Sequence, residues 1–316
     1  MRIMVISHAR EKEPKDVWMR WHRLPYLFKQ KGHKIKYILK KDWKWFYLKY
    51  LKFKPDVIIS AGVIGALPCF LKKIGLVRKP IIHDLTDNYT ECMAAKHSID
   101  KIAFLEHYII KNSDFIISPS IAAIKKCKLF GKKAFYIPHG VNPDFDEKKP
   151  VKLKGKLKIL YSGEQTKYKR VDELIKAVKD LDCDLYLLGT TNEEFKKFAS
   201  KNVHFLGQVH HNNVASYLKA ADILVITNND DSTLKMFEYL KAGKVILGLK
   251  GRLEYFLSNK VNAYLTYDLA KGIKELTSNK KLREYLIKNA KKINVKVWDE
   301  IAEDYLELIK KLIRND

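Results

Sequence analysis

Short apolar stretches alternate with amphipathic ones along this chain, and the alternation runs through once and then starts again. In the first half the apolar stretches predict buried strands at 3–7, 34–38, 57–60, 81–84, 115–119 and 134–137. In the second half the same pattern predicts strands at 157–162, 185–188, 203–205, 223–226, 245–248 and 263–265. Strands separated by helices form parallel sheets that are covered by helices. The sequence therefore predicts an α/β chain made of two doubly wound domains.

The boundary between the two halves is marked by turn residues and charge. Pro138 and Pro143 punctuate the chain, and a run rich in Lys, Asp and Glu follows at 144–156. A length of 316 residues suits two domains, each of which can bury its own core. The predicted division is a first domain at 1–148, a second at 149–296, and a final amphipathic helix within 297–316.

The composition indicates a soluble globular protein with a strongly basic surface. Hydrophobic residues make up 47% of the chain, charged residues 31%, and the net charge is +25, with the larger excess in residues 1–150. Such a charge favours an anionic partner, although a heat-adapted proteome would also explain it. The four cysteines show no metal-binding or disulfide spacing, and the first residues predict a strand rather than a leader. We therefore expect a cytoplasmic protein, either free or peripheral on the inner face of the membrane.

The segment 232–248 carries the strongest functional signal. Ser232 and Thr233 are helix N-cap residues at the end of a loop that follows the strand predicted at 223–226. Backbone N–H groups at a helix start bind diphosphates, and the carboxyl ends of parallel strands are where open α/β sheets bind ligands. Glu238 lies further along the helix, where it could reach hydroxyl groups, and Gly243 ends the helix.

This segment resembles the donor site of the retaining GT-B glycosyltransferases, family 4 of the group 1 type. Members carry two acids eight positions apart, a spacing that Asp230 and Glu238 match. The resemblance covers nearly the whole chain, and its other strong pieces are 137–142, 161–163, 169–175, 203–207 and 221–222. The resemblance implies two Rossmann-like domains facing one another across a cleft, with the final helix crossing back to the first domain. It also implies retaining transfer of a sugar from a nucleotide-sugar donor to a hydroxyl acceptor.

The resemblance assigns donor-binding roles residue by residue. Asp230 would hold hydroxyls of the donor sugar and Glu238 those of the ribose. The diphosphate would be bound by Lys169 and by the helix start, and the base by the backbone at Val209. The full set of implied donor-binding residues is Gly163, Lys169, Val209, Ser232, Thr233, Leu234, Lys235 and Glu238.

Two features depart from the family pattern. The family commonly has an arginine one residue after Gly163, but this chain has Glu164. An acid would repel the diphosphate, so Lys167 or Arg170 are candidates to replace the missing cation. The glycine pair that usually follows the first strand is also absent from residues 7–12.

The first domain is expected to supply the acceptor site. His83 ends a strand and resembles the family's histidine near the reacting carbon of the donor, and Asp84 is a candidate to contact hydroxyls of acceptor or donor. No carboxylate stands out as a nucleophile. No cofactor and no metal are expected, because the helix start and Lys169 would offset the phosphate charge.

The segment 41–54 interleaves aromatic residues with lysines. Trp43, Phe46, Tyr47, Tyr50 and Leu51 share one helical face, and lysines flank it. Two interpretations are open: an interfacial helix on an anionic membrane, or an ordinary helix whose aromatic face covers the sheet. Binding of nucleic acid is not expected, since no recognition module accompanies the pattern.

The sequence thus predicts a glycosyltransferase whose acceptor is a lipid-linked saccharide, a glycan or a small polyol. A sugar-nucleotide epimerase or a phosphorylase on the same scaffold is one alternative. A catalytically weak partner subunit that binds donor or lipid is another, favoured by Glu164, Asp230 and the missing glycine pair.

Overall fold

The structure, a computed structural model, describes residues 1–7, 20–86, 99–231 and 233–314. It forms two compact units. Unit 1 comprises Met1–His139 and Trp298–Asp316, and unit 2 comprises Gly140–Val297. Each unit contains one six-stranded parallel sheet flanked by helices, which confirms the predicted pair of doubly wound α/β domains.

Unit 1 is built on a parallel sheet whose strands follow one another closely in sequence. The strands are β1 Arg2–Ile6, β2 Lys34–Ile38, β3 Val57–Ala61, β4 Ile81–Asp84, β5 Phe115–Ser118 and β6 Ala134–Tyr136. The helices are α1 Arg20–Gln30, α2 Phe46–Phe53, α3 Ala66–Lys73, α4 Ile99–Asn112, α5 Ile121–Leu129 and α12 Trp298–Arg314. The strand order is β2-β1-β3-β4-β5-β6.

Unit 2 repeats this design in a second sheet. Its strands are β7 Lys158–Ser162, β8 Asp184–Leu188, β9 Val203–Gly207, β10 Ile223–Ile226, β11 Val245–Leu249 and β12 Tyr264–Thr266. Its helices are α6 Val171–Ala177, α7 Glu193–Lys196, α8 His211–Ala220, α9 Leu234–Ala242, α10 Leu269–Ser278 and α11 Lys280–Ala290. The strand order β12-β11-β10-β7-β8-β9 reverses direction between β7 and β10.

The central strands are buried on both faces, which explains why they could be found in the sequence. Every residue of β3, β4, β10 and β11 is buried. A strand covered by helices on both sides is a continuous apolar run rather than an alternating one. The helices therefore need an apolar stripe on one side only.

The helix predicted near the end of the chain is present as α12 and belongs to unit 1. Its Trp298 and Tyr305 are almost fully buried, and the Tyr305 ring lies 5.5 Å from that of Phe28 in α1. An ion pair of 2.5 Å joins Lys31 Nζ to Glu303 Oε1 at the edge of the same contact. The apolar stripe of α12 is thus buried against α1.

The aromatic segment 41–54 folds as a 3-10 turn followed by α2. Part of its apolar surface is buried and part is exposed. Phe46 and Tyr50 are buried in the core under the sheet, with Trp43 and Tyr47 packed partly against them. For these residues the sheet-covering interpretation is correct. The side chains left exposed are Trp45, Leu48 and Leu51. Within the described ranges, no helix is both long and apolar enough to cross a bilayer.

Candidate active site

The point where the strand order reverses in unit 2 brings together the carboxyl ends of β7 and β10. Open α/β sheets bind ligands at this point, because the loops from the two strands leave in opposite directions and open a crevice. Gly163 follows β7 with a φ of +142°, and its N–H donates to the carbonyl of Leu188 at 2.8 Å. A Cβ at this position would lie 2.9 Å from Lys235 Nζ. Glycine is therefore what allows a side chain of α9 to reach the end of β7.

The helix α9 begins beside this crevice, as predicted. Thr233 is its N-cap residue with extended backbone angles, and its side chain makes no capping hydrogen bond. The first turn of a helix carries N–H groups that have no partner within the helix, and these bind anions. Thr233, Leu234 and Lys235 thus lie where a diphosphate could be bound. Ser232, predicted to belong to the same set, lies outside the described residues.

Glu238 is buried one turn further along α9. One carboxyl oxygen lies 3.4 Å from Nε2 of His211, at the start of α8. Burial raises the pKa of Glu238 to about 7, against the opposing charge of Lys235. Burial also lowers the pKa of His211 to about 4, so that its imidazole is neutral at pH 7. A carboxyl group that is part ionised near pH 7 can accept hydrogen bonds from hydroxyl groups of a ligand.

Lys235 is the functional candidate whose side chain the sequence did not single out. Its ammonium group is shielded from solvent and has no hydrogen-bond partner among the described residues, and it lies 4.4 Å from the centre of the Tyr161 ring. Burial lowers the pKa of Lys235 to about 7, and the charge of Lys169 lowers it further. The charges of Glu238 and Asp230 act in the opposite direction. The structure thus brings four of the predicted donor-site residues into one electrostatic cluster.

The cations near Gly163 are not equally available to a ligand. Lys169 Nζ lies 3.9 Å from the carboxylate of Glu164, and both side chains are partly exposed. Arg170, one candidate replacement for the missing arginine, forms two hydrogen bonds of 2.8 and 2.6 Å to Glu173. Lys167, the other candidate, is exposed. Arg170 is thus already held in an ion pair.

Asp230, a member of that cluster, and Val209, the last of the predicted donor-site residues, lie at the same edge of the sheet. Asp230 is half-buried in the loop between β10 and α9. Val209 is half-buried between the end of β9 and the start of α8. All of these loops leave from carboxyl ends of parallel strands, so the fold gathers them at one edge.

In unit 1, His83 is buried at the end of β4. Its Nδ1 lies 2.9 Å from Oγ of Ser60 on the neighbouring strand β3. Burial lowers the pKa of His83 to about 3, so the imidazole is neutral at physiological pH. It can exchange hydrogen bonds but cannot supply a positive charge.

Asp84, the next residue, is fully buried in an ion pair. Its Oδ2 accepts a hydrogen bond of 2.9 Å from Nε of Arg20, whose Nη1 donates to the carbonyl of Pro138 at 2.7 Å. The guanidinium carbon lies 5.6 Å from the centre of the Tyr305 ring. Burial raises the pKa of Asp84, and the charge of Arg20 opposes this. Asp84 thus ties β4 to α1, while its contact with a substrate hydroxyl stays a prediction.

Within the part of the chain that the structure describes, no three His, Cys, Asp or Glu side chains are grouped so as to hold a metal ion. Cys69, Cys127 and Cys183 are buried free thiols, and burial raises the pKa of each to about 11.

The segment that contains the crevice of unit 2 matches a known protein family. Residues 143–293 match the family model described as glycosyl transferases group 1. The chain is also 26% identical over 325 residues to an uncharacterized glycosyltransferase, MJ1178, of Methanocaldococcus jannaschii. That alignment covers 94% of this chain and 86% of the relative.

Solved structures share the whole architecture. Sucrose-phosphate synthase from Thermosynechococcus elongatus aligns over 100% of both chains, with a TM-score of 0.82 and 15% identity. HepE from Anabaena, in complex with UDP, aligns over 98% of this chain and 100% of its own, with a TM-score of 0.76 and 14% identity. HepE has also been solved with UDP-glucose. The fold is therefore the two-domain Rossmann-like fold of the GT-B glycosyltransferases, and the family model supports a glycosyltransferase of group 1.

Proposed function

We propose that the protein transfers a sugar, with retention of anomeric configuration, from a nucleotide-sugar donor to a hydroxyl acceptor. The observation that supports this most directly is the cluster at the strand-order reversal of unit 2, within the segment that matches the group 1 family. There a helix start, two lysines and a buried carboxyl group converge, as binding of a nucleoside diphosphate requires.

The proposed chemistry needs stabilisation of a leaving diphosphate. Negative charge grows on the diphosphate as the glycosidic bond breaks, and preorganised N–H groups and cations stabilise that charge. We assign this task to the first turn of α9 and to Lys169, with no metal ion. Glu238 is assigned to the ribose, Asp230 to the sugar hydroxyls, and the backbone at Val209 to the base.

The acceptor is assigned to unit 1. His83 is neutral there, so its proposed part is to exchange hydrogen bonds with a sugar rather than to act as a cation. None of the buried carboxyl groups is assigned as a nucleophile. Asp84 is engaged with Arg20, and we therefore favour departure of the diphosphate and attack of the acceptor on the same face of the sugar.

UDP-sugars are the first donors to test, because HepE has been solved with UDP and with UDP-glucose. We propose a thermal-shift and hydrolysis screen against UDP-, GDP-, ADP- and CMP-sugars, run beside Lys169→Ala and Glu238→Ala. One donor should stabilise the protein and release its nucleotide slowly, and both variants should lose these effects. No response to any donor would contradict the proposed activity.

The products of that screen distinguish the remaining alternatives. The anomeric configuration of the transferred sugar, measured by NMR, tests retention. Conversion of the donor into an epimeric sugar nucleotide would indicate an epimerase. Donor binding without turnover in the presence of acceptors would indicate a partner subunit.

We also propose that unit 1 binds the cytoplasmic face of an anionic membrane, which suits a lipid-linked acceptor. Trp45, Leu48 and Leu51 are 57, 58 and 47% exposed, at spacings of three residues. Exposed lysines surround them at positions 41, 44 and 52. Aromatic and aliphatic side chains flanked by lysines bind the headgroup region of anionic bilayers.

The neighbouring helix extends this surface. Phe70 and Ile74 of α3 are 52 and 53% exposed. The two helices are linked, because Tyr50 of α2 accepts a hydrogen bond of 3.2 Å from the N–H of Arg78, shortly after α3. Both also contribute to the same buried cluster under the sheet.

Co-sedimentation with vesicles tests the membrane proposal. The wild-type protein should bind phosphatidylglycerol-containing vesicles and not pure phosphatidylcholine. The triple variant Trp45→Ser, Leu48→Ser and Leu51→Ser should lose this binding, while Tyr285→Ser, an exposed aromatic position in unit 2, should keep it. Equal binding by the triple variant and the wild type would overturn the proposal.

A further inference from the structure

The ammonium group of Lys235 lies in an unusual place for a charged group. It is shielded from solvent, and none of the described residues accepts a hydrogen bond from it. It lies over the face of the Tyr161 ring, 4.4 Å from the centre. A cation–π contact compensates only part of the cost of removing an ammonium ion from water. The group is therefore destabilising as it stands, which favours a role other than folding.

The tip of Lys235 lies close to the backbone at the end of β7 because residue 163 is a glycine. Gly163 has no side chain, and a Cβ there would come within 2.9 Å of Nζ. The φ of +142° at Gly163 is one that other residues rarely adopt. Sequence and backbone together therefore let the tip of Lys235 lie directly against the end of β7.

The tip of Lys235 thus lies beside the position where the group 1 arginine is missing. Glu164 occupies that position, and its carboxylate lies 3.9 Å from Nζ of Lys169. Arg170 is bonded twice to Glu173, and Lys167 is exposed. Four cations near Gly163 are compared: Lys167, Lys169, Arg170 and Lys235. Among them, only Lys235 has a charged group that is buried and has no hydrogen-bond acceptor among the described residues.

We infer that the side chain of Lys235 binds a phosphoryl group of the donor diphosphate at Gly163, in place of the arginine that Glu164 replaces. This inference rests on the proposed function. Lys169 and Lys235 would then contact the diphosphate from different elements, one before α6 and one on α9. The second cation that contacts the diphosphate would thus come from α9, the helix after β10, and not from the loop after β7.

The charges around Lys235 shift its pKa in both directions. Lys169 lowers its pKa, whereas Asp230 and Glu238 raise it, and Tyr161 covers it from β7. A dianionic ligand at Gly163 would favour the protonated amine over the neutral one. Binding should therefore be accompanied by uptake of a proton at pH 8, where part of the free lysine is neutral.

Calorimetric binding of UDP, GDP and ADP, each beside its nucleoside, tests the inference. In Lys235→Met the affinity for the nucleoside diphosphate that binds should fall roughly 10- to 100-fold, the range expected for loss of one charge-assisted hydrogen bond. Affinity for the nucleoside should stay unchanged, and the thermal midpoint of the free variant should equal or exceed that of the wild type. The proton uptake at pH 8 should disappear.

Matched lysine variants separate a local contact from a general loss of charge. Lys176→Met, on the exposed side of α6, should bind as the wild type does. An equal loss of affinity in Lys167→Met would assign the second cation to Lys167 and overturn the inference. So would an equal loss for diphosphate and nucleoside in Lys235→Met, which would indicate a structural role.

The outcomes distinguish this inference from the proposed function. A wild-type protein that binds UDP, GDP or ADP, together with a Lys235→Met variant that binds it equally well, contradicts the inference alone. A wild-type protein that binds none of the three contradicts both.

Discussion

The buried charges of unit 1 and unit 2 are compensated to different degrees. In unit 1, Asp84 and Arg20 form an ion pair of 2.9 Å, and both side chains are almost fully buried. In unit 2, the ammonium group of Lys235 faces an aromatic ring and has no hydrogen-bond acceptor among the described residues. A paired buried charge is destabilising mainly when its partner is removed, whereas an isolated one is destabilising as it stands. The difference agrees with a structural role for the pair in unit 1 and with the ligand-binding role that we propose for the cluster in unit 2.

The largest effect is expected from breaking the pair in unit 1. Asp84→Ala would leave the guanidinium of Arg20 buried without its carboxylate, which typically costs about 3–5 kcal/mol in the free energy of unfolding. Urea unfolding of the variant measures this. Lys196→Ala, which removes an exposed pair with Glu193, should cost less than about 1 kcal/mol. Similar losses in the two variants would mean that the buried ion pair contributes no more to the free energy of unfolding than the exposed one.

In unit 2, substitution of the buried charge is expected to raise the free energy of unfolding and not to lower it. Replacement of a buried charge by an apolar side chain of similar size often stabilises by about 1–4 kcal/mol, and we expect this for Lys235→Met at pH 6. The pKa of Lys235 is lowered on folding from 10.5 to about 7. The folded wild type therefore loses its proton first as the pH rises, and its stability recovers between pH 7 and 10.5.

The advantage of Lys235→Met should thus be largest below pH 7 and should vanish towards pH 10.5. Unfolding curves at pH 6, 8 and 10 test this dependence. A variant less stable than the wild type at pH 6 would show that the ammonium group has a stabilising partner.

The smallest change in stability is expected for Glu238→Gln, and its dependence on pH is the reverse of that for Lys235→Met. The pKa of Glu238 is raised on folding from 4.5 to about 7, so the folded wild type binds the additional proton and loses stability as the pH rises from 4.5 to 7. Glu238→Gln has no such proton and should gain about 1–3 kcal/mol on the wild type across this interval. Unfolding at pH 4.5 and pH 7.5 measures the gain, and an equal difference at both values would contradict the raised pKa.

The sequence was sufficient to predict the strands because burial on both faces leaves a local signature. β3, β4, β10 and β11 are continuous apolar runs that need no knowledge of their neighbours. Gly272 lies in the middle of α10, although glycine disfavours a helix interior. In the structure a Cβ at Gly272 would lie 2.8 Å from Leu247 of β11, so the glycine serves close packing instead.

The site could be predicted where it follows from chain order, and not where it depends on distant neighbours. The start of α9 and Glu238 follow from capping and spacing within one segment. The side chain of Lys235 could not be distinguished among 61 lysines and arginines, because its tip lies against Gly163, which is 72 positions earlier in the chain. The pairing of Asp84 with Arg20, 64 residues apart, is equally invisible to local patterns.

The position of α12 bears on the order in which the chain can mature during synthesis. Unit 1 holds residues from both sides of unit 2, and Tyr305, whose ring lies 5.5 Å from that of Phe28 on α1, is translated after unit 2. The second unit is therefore synthesised while the part of α1 that contacts α12 is still uncovered. During that interval Phe28 and its neighbours form a surface that chaperones or proteases can engage.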